Sequence, residues 1–173
     1  MLLAPHFSLE EFTLSSTALA LGIENKPVPE HLENLRKLAD RMEEVRALFD
    51  KVIEITSGYR NPQVNAAVGG VPNSAHALGL AADFHVHGFH DLDAAKRIRD
   101  SALKFDQLIF EKNRCVHLSV DPQMRRQVLR QPGGPGSPVH RGLEPKISDK
   151  QLGSISCLTR LRTTALSSSH VMG

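Results

Sequence analysis

Residues 72–86 read PNSAHALGLAADFHV, and this stretch restricts the fold more than any other. Its last six residues alternate, so Asp83 and His85 share one face of a strand while Ala82, Phe84 and Val86 share the other. Such a strand needs a core on one side and a polar site on the other. His76 precedes Asp83 by seven residues, across Gly79, Ala81 and Ala82, whose small side chains let the chain fold back and bring the two donors together. Spacing alone fits a metal site, and it also fits a satisfied buried histidine near a strand-end aspartate.

The surrounding pattern supplies a scaffold. Residues 1–28 read as an irregular lead-in with one helical turn around SLEEF, where Ser8 and Glu11 fit a capping box. A long helix follows Pro29, with Leu32, Leu35, Leu38, Met42, Val45 and Leu48 forming one apolar stripe. KVIEIT (51–56) reads as a strand ending in the turn SGYRNP, and QVNAAVGG as a helical turn closed by glycines. Asp91 is expected to cap a helix over LDAAKRIRDSALK. Two strands then follow, QLIF (107–110) and CVHLSV (115–120). On the second, Cys115, His117 and Ser119 share one face and Val116, Leu118 and Val120 the other. The elements do not alternate as a doubly wound sheet would, so the class expected is α+β.

Pattern fails beyond Gln131. Of the 42 residues from Pro132 to Gly173, 20 are Pro, Gly, Ser or Thr. The expected organisation is a folded domain over 1–131 and a low-complexity, disordered tail over 132–173, with a short helix allowed in ISCLTRLRTTAL. The tail also holds the basic surplus: with a net charge of +2 for the whole chain, residues 1–131 are about neutral, against a nucleic-acid-binding face. No stretch is apolar and long enough to span a membrane, and no signal peptide is visible, so synthesis and retention in a cytosol are expected. Cys115 and Cys157 fit neither a disulfide framework nor a cysteine-pair metal motif.

Catalytic zinc takes three protein ligands and keeps one position open. His76 from a loop and Asp83 from the strand after it supply two donors. His117, on the polar face of a neighbouring strand, would supply the third. Arg60, at the tip of a strand-ending turn, could aim its donor fork at an oxyanion or carboxylate, or be solvated. Ser74 could orient His76, bond substrate, or be a plain loop serine. His85, His87 and His90 read as surface or supporting histidines, and His6, His31, His140 and His170 have no constellation around them.

SAHALGLAAD has the form Ser-x-His-x-x-Gly-x-Ala-x-Asp, which resembles the signature of the zinc D-alanyl-D-alanine carboxypeptidase family. That family includes phage cell-wall endopeptidases and the D-alanyl-D-alanine dipeptidases of vancomycin resistance. SGYRNPQVNAAVGG (57–70) resembles its Ser-Gly-Tyr-Arg segment, FDQLIFEKNRCVHLSV (105–120) its closing strand pair, and residues from Phe7 onward the lead-in of its phage and prophage branch. The resemblance covers about residues 7–131.

It implies a small antiparallel sheet carrying one zinc ion, flanked by helices, in a fold shared in outline with the Hedgehog signalling domain. It implies His76, Asp83 and His117 as zinc ligands, Arg60 facing the scissile carbonyl, and Tyr59, Arg60 and Ser74 at the substrate. The family's acidic base stands three positions before the last histidine ligand. Arg114 occupies that position here, so the nearest upstream acid, Glu111, is the expected base, with a solvent-facing turn glutamate as its alternative reading. Cys115 stands where relatives often carry tryptophan or histidine, and could narrow the pocket, compete as a soft ligand, or pack. The implied activity is zinc-assisted hydrolysis of peptidoglycan peptide bonds, at a terminal D-Ala-D-Ala or within a stem or cross-bridge. It would be performed by a monomer that reaches the wall after lysis or on a particle. A zinc-bearing wall-binding module of a phage or prophage particle, or an inactive prophage remnant, are the competing expectations.

Overall fold

The computed structural model describes residues 1–111, 115–133 and 137–144. Contacts divide the chain into Met1–Leu143 and Glu144–Gly173. Of the second unit only Glu144 is described, so most of the tail expected to be disordered, with its short helix, lies outside the described residues.

The lead-in holds more structure than its sequence pattern indicates. Strands β1 (Leu2–Ala4) and β2 (Phe7–Ser8) pair antiparallel, followed by α1 (Leu9–Thr13) and α2 (Ser16–Leu21). The capping box is present: the Glu11 amide donates to Ser8 Oγ, and Glu11 Oε2 accepts from the Ser8 amide at 2.7 Å. The long helix α3 (Pro29–Phe49) begins with proline in its first turn, where no amide partner is lost. It buries Leu35, Leu38, Ala39, Met42, Val45 and Phe49, while Leu32 and Leu48 flank the stripe half-buried.

Strand β3 (Ile53–Ser57), helix α4 (Pro62–Ala67), strand β4 (Ala81–Val86), helix α5 (Asp91–Asp100) and strands β5 (Gln107–Glu111) and β6 (Cys115–Ser119) follow. The N-cap of α5 is His90, not Asp91. His90 Nδ1 accepts from the Leu92 amide, which leaves the Asp91 carboxylate to pair with His85 Nδ1 at 2.8 Å.

Strands β7 (Gln127–Gln131) and β8 (His140–Arg141) complete a six-stranded sheet in the order β3-β4-β6-β5-β7-β8. The fold is α+β as expected, but the sheet is mixed: β7 runs parallel to β5. The 120–126 link makes this possible. Asp106, almost fully buried, accepts from the Arg125 backbone amide at 3.0 Å and from Arg125 Nε at 2.8 Å. The Arg126 guanidinium donates to the carbonyls of Leu103, Arg99 and Ser101 and lies over Phe105. With Met124 and Arg126 at positive φ, the link turns tightly and delivers β7 to the far side of β5. These anchors are long-range side-chain contacts, invisible to a local apolar pattern.

One face of the sheet packs on α3 and α5 through Phe84, Leu108, Phe110, Val116 and Leu118. The folded unit does not stop near Gln131 as expected. Strand β8 pairs with β7, and Leu143 is fully buried in the same core. The Leu143→Ala substitution is expected to cost about 2–5 kcal/mol, and a chain ending at Gln131 at least as much. Urea denaturation checks both, and an unchanged midpoint for the shortened chain would place the boundary back at Gln131. No helix among the described residues is long and apolar enough to cross a membrane.

Candidate metal centre and cleft

The other face of the sheet carries the polar group. Antiparallel pairing sets Asp83 directly opposite His117, so the alternation that buries Phe84 and Leu118 on one side puts an acid and an imidazole together on the other. Asp83 Oδ1 lies 2.8 Å from His117 Nδ1. His76 arrives from the preceding loop, with Nε2 3.1 Å from His117 Nδ1 and 3.3 Å from Asp83 Oδ1. All three side chains are buried.

Gly79 makes that approach possible. Its φ is +72°, and a Cβ there would come 2.7 Å from the His31 carbonyl oxygen on α3. Ala81 and Ala82 lie fully buried in the strand itself. The loop is also tied by Asn65, a buried residue that the sequence reading passed over. Asn65 Nδ2 donates to the Val71 carbonyl at 2.7 Å, and Asn65 Oδ1 accepts from Ser74 Oγ at 2.9 Å. Ser74 Oγ in turn accepts from the Ala77 amide. Ser74 therefore holds the turn that carries His76. The clue in sequence was Asn65 followed by Gly69-Gly70, since a Cβ at Gly70 would overlap Asn65 Oδ1.

The donor set fits a single cation. His76 Nδ1 lies 2.7 Å from the Gly58 carbonyl oxygen, a pure acceptor, so Nδ1 carries the proton and Nε2 presents its lone pair to the site. Asp83 Oδ1 and His117 Nδ1 face the same point, which leaves three lone-pair atoms with at most one proton among them. A tetrahedral ion with about 2.0–2.1 Å bonds would space its donors roughly 3.3 Å apart. Among the described residues, His76, Asp83 and His117 are the group whose ligand atoms could hold a metal, and Cys115 is not part of it.

Electrostatics agree with that set. Burial pushes the His76 imidazole below its ordinary value, outweighing the Asp83 carboxylate, so it stays neutral. Burial alone would raise Asp83, but its buried imidazole neighbours, with His117 Nδ1 donating to Oδ1, hold it well below the usual carboxylate range. For His117 burial works downward, and it is outweighed by the hydrogen bond and charge of Asp83 and the charge of Glu111, so its pKa is raised. In the metal-free protein the shared proton therefore sits on His117.

Two more expected residues stand at the group. Glu111 Oε1 is 3.9 Å from His117 Nδ1, brought there from the end of β5. Arg60 Nη2 is 3.4 Å from Asp83 Oδ2, and Arg60 Nε is 3.3 Å from Ser57 Oγ. Tyr59, expected at the substrate, is buried with its hydroxyl 3.2 Å from His31 Nδ1. Its backbone amide donates to the Phe12 carbonyl, and its ring lies 5.6 Å from the His31 ring, centre to centre. Arg114, at the position of the family's acid, lies outside the described residues. Cys115 Sγ lies 3.8 Å from the Glu111 carbonyl oxygen.

Gly58 links scaffold to site, because its carbonyl orients His76 while its Cα lies against α1. A Cβ there would stand 2.4 Å from the Phe12 carbonyl oxygen. Gly58→Ala must move the turn that bears Arg60 and the His76 acceptor. The expected cost is about 1–3 kcal/mol of stability with weaker metal binding; denaturant melts and metal titration check it, and wild-type values in both would remove Gly58 from this role.

The group lies in a cleft of about 710 Å³. A family model described as Peptidase M15 matches residues 5–119, ending at the last residue of β6. No curated protein matches the chain.

Proposed function

The chain belongs to the peptidase M15 family, and from that premise we propose that it is a zinc metallopeptidase hydrolysing peptide bonds of peptidoglycan. The observation that carries the proposal is the buried triangle of His76 Nε2, Asp83 Oδ1 and His117 Nδ1 with the Glu111 carboxylate beside it. His76, Asp83 and His117 would hold one zinc ion. Zinc held by these residues would supply Lewis-acid polarisation of a carbonyl and of water at neutral pH.

The chain's own groups do the rest. Glu111 takes the proton of the attacking water and returns it to the leaving amine. Arg60, its guanidinium fixed by Asp83 and Ser57, donates toward the carbonyl oxygen as that oxygen gains charge. Ser74 and Asn65 keep the His76 turn rigid, so the ligand does not have to be ordered when substrate arrives. The substrate class is the wall's stem peptide or cross-bridge. Incubating purified peptidoglycan with the zinc-loaded protein should release new amines or D-alanine; tight wall binding with no release would favour a binding module instead.

Zinc uptake must displace the proton held by His117, since Asp83 and His76 have none to give. Below the raised pKa of His117, each pH unit is therefore expected to weaken zinc binding about tenfold. In the metal-free protein the sign reverses. A folded pKa above the unfolded one gives stability that is full below the unfolded value and lost as pH rises through the folded value. Calorimetric zinc titrations and metal-free denaturation curves across that range check both slopes, and a pH-independent zinc affinity would contradict His117 as a ligand.

A further inference from the structure

Register pairing lines up one row of side chains straight across the polar face of the sheet. Ser57 on β3 pairs with Asp83 on β4, Asp83 with His117 on β6, His117 with Ile109 on β5, and Ile109 with Leu129 on β7. The metal-ligand pair therefore occupies the second and third of five strands and does not stand at the end of the row. The cleft draws its lining from both sides of that pair, from Ser57 of β3 to Ile109 of β5 and Gln131 of β7. One wing is lined by Ser15, Thr17 and Asn73 and the other by Gln107, Arg125 and Gln131.

The scale suits a chain and exceeds a dipeptide. Four strand spacings of about 4.8 Å make roughly 19 Å across the floor, and an extended peptide advances about 3.3–3.6 Å per residue, so five or six residues fit, with some on each side of the metal group.

The charges point the same way. A terminal carboxylate is commonly held by a cation or by converging backbone amides about one residue from the scissile bond. Among the described residues lining the cleft the guanidinium groups are Arg60 and Arg125. Arg60 stands at the metal group, and Arg125 is already joined to the buried Asp106 carboxylate through Nε and Nη2. The second wing rests on Arg125 and on Gln131 of β7, which lie beyond the family match at residue 119.

We infer that this cleft takes an extended wall peptide across both wings, so that the bond addressed is internal to a stem or cross-bridge and is not the terminal D-Ala-D-Ala bond. The inference rests on the hydrolase reading above and adds the position of the bond within the substrate.

Two peptide sets test it. The first is a free stem peptide ending in D-Ala-D-Ala. The second is a series of cross-linked stem fragments with amidated ends, trimmed residue by residue from either side. The zinc-loaded full chain is assayed for cleavage, and its Glu111→Gln variant is titrated calorimetrically with the same peptides. Cleavage within the amidated fragments is expected, with affinity falling at least tenfold when either side is trimmed to one residue. Release of free D-alanine from the first peptide, with the amidated fragments intact, overturns the inference and leaves the peptidase reading standing. Length-dependent affinity on both sides with no cleavage of any peptide sinks the hydrolase reading and keeps the crossing mode of binding. Affinity that ignores trimming, with no cleavage, overturns both.

Discussion

Asparagine in place of Asp83 is expected to leave the protein folded, to reduce bound zinc from one equivalent to a small fraction of that, and to bring peptidoglycan hydrolysis down at least about 10³-fold. The magnitude follows from what leaves with the ion: several kcal/mol of transition-state charge stabilisation, at 1.36 kcal/mol for each factor of ten. Asp83 is the one anionic donor of the three, facing His117 at 2.8 Å and His76 at 3.3 Å. With asparagine the site offers two neutral imidazoles and an amide, and a dication taken out of water lacks a compensating charge. Shape is conserved, so the strand pairing of β4 with β6 and the core on its far side are untouched, and circular dichroism with a thermal melt separates loss of metal from loss of fold. Metal analysis and amine release, run side by side on parent and variant, decide the matter. Full zinc occupancy in the variant would mean that the ion sits elsewhere, and full activity without zinc would remove the metal from the mechanism.

The part of this site that was legible in the sequence is the part written in strand alternation. Asp83 and His117 each stand among apolar residues that fix which way a strand must face, so both donors could be assigned to the polar face before their register was known. For His76, Arg60 and Ser74 the residue pattern left several readings open, and the motif resemblance chose among them; the placing of His76 and Ser74 follows from Gly79 and the Asn65 bridge. What could not be read was decided by single long-range contacts. The parallel placement of β7 depends on Asp106 gripping Arg125 and on Arg126 bridging three carbonyls, none of which leaves a periodic signature. Leu143 lies in a Pro- and Gly-rich stretch whose composition argues for disorder, yet one buried leucine after a short strand ties it to the core. The four residues Ser57-Gly58-Tyr59-Arg60 divide their labour: Gly58 and Arg60 stand at the metal group, while Tyr59 lines the cleft and turns its hydroxyl to His31.

Glu111→Gln is expected to keep zinc at one equivalent and lower the hydrolysis rate about 10²–10⁴-fold, the usual worth of a positioned proton acceptor. The glutamine is nearly isosteric and Glu111 is not among the ligand group, so neither metal binding nor wall affinity has reason to fall by more than a few-fold. Its carboxylate stands 3.9 Å from His117 Nδ1, a ligand atom, and therefore beside the point on which the three donors converge. It reaches that place because Glu111 pairs with Cys115 at the end of the β5–β6 ladder, on the same face of the sheet as His117 two residues further on. An acid three residues upstream of where the family carries its own can thus serve one site, since two strands of a hairpin approach it from opposite directions. The measurement pairs steady-state amine release with zinc analysis and wall-fragment binding for parent and variant. A variant as fast as the parent would assign the proton to another group. Equal binding with no turnover in either protein would make the module a wall binder, in which Glu111 contributes only charge beside His117.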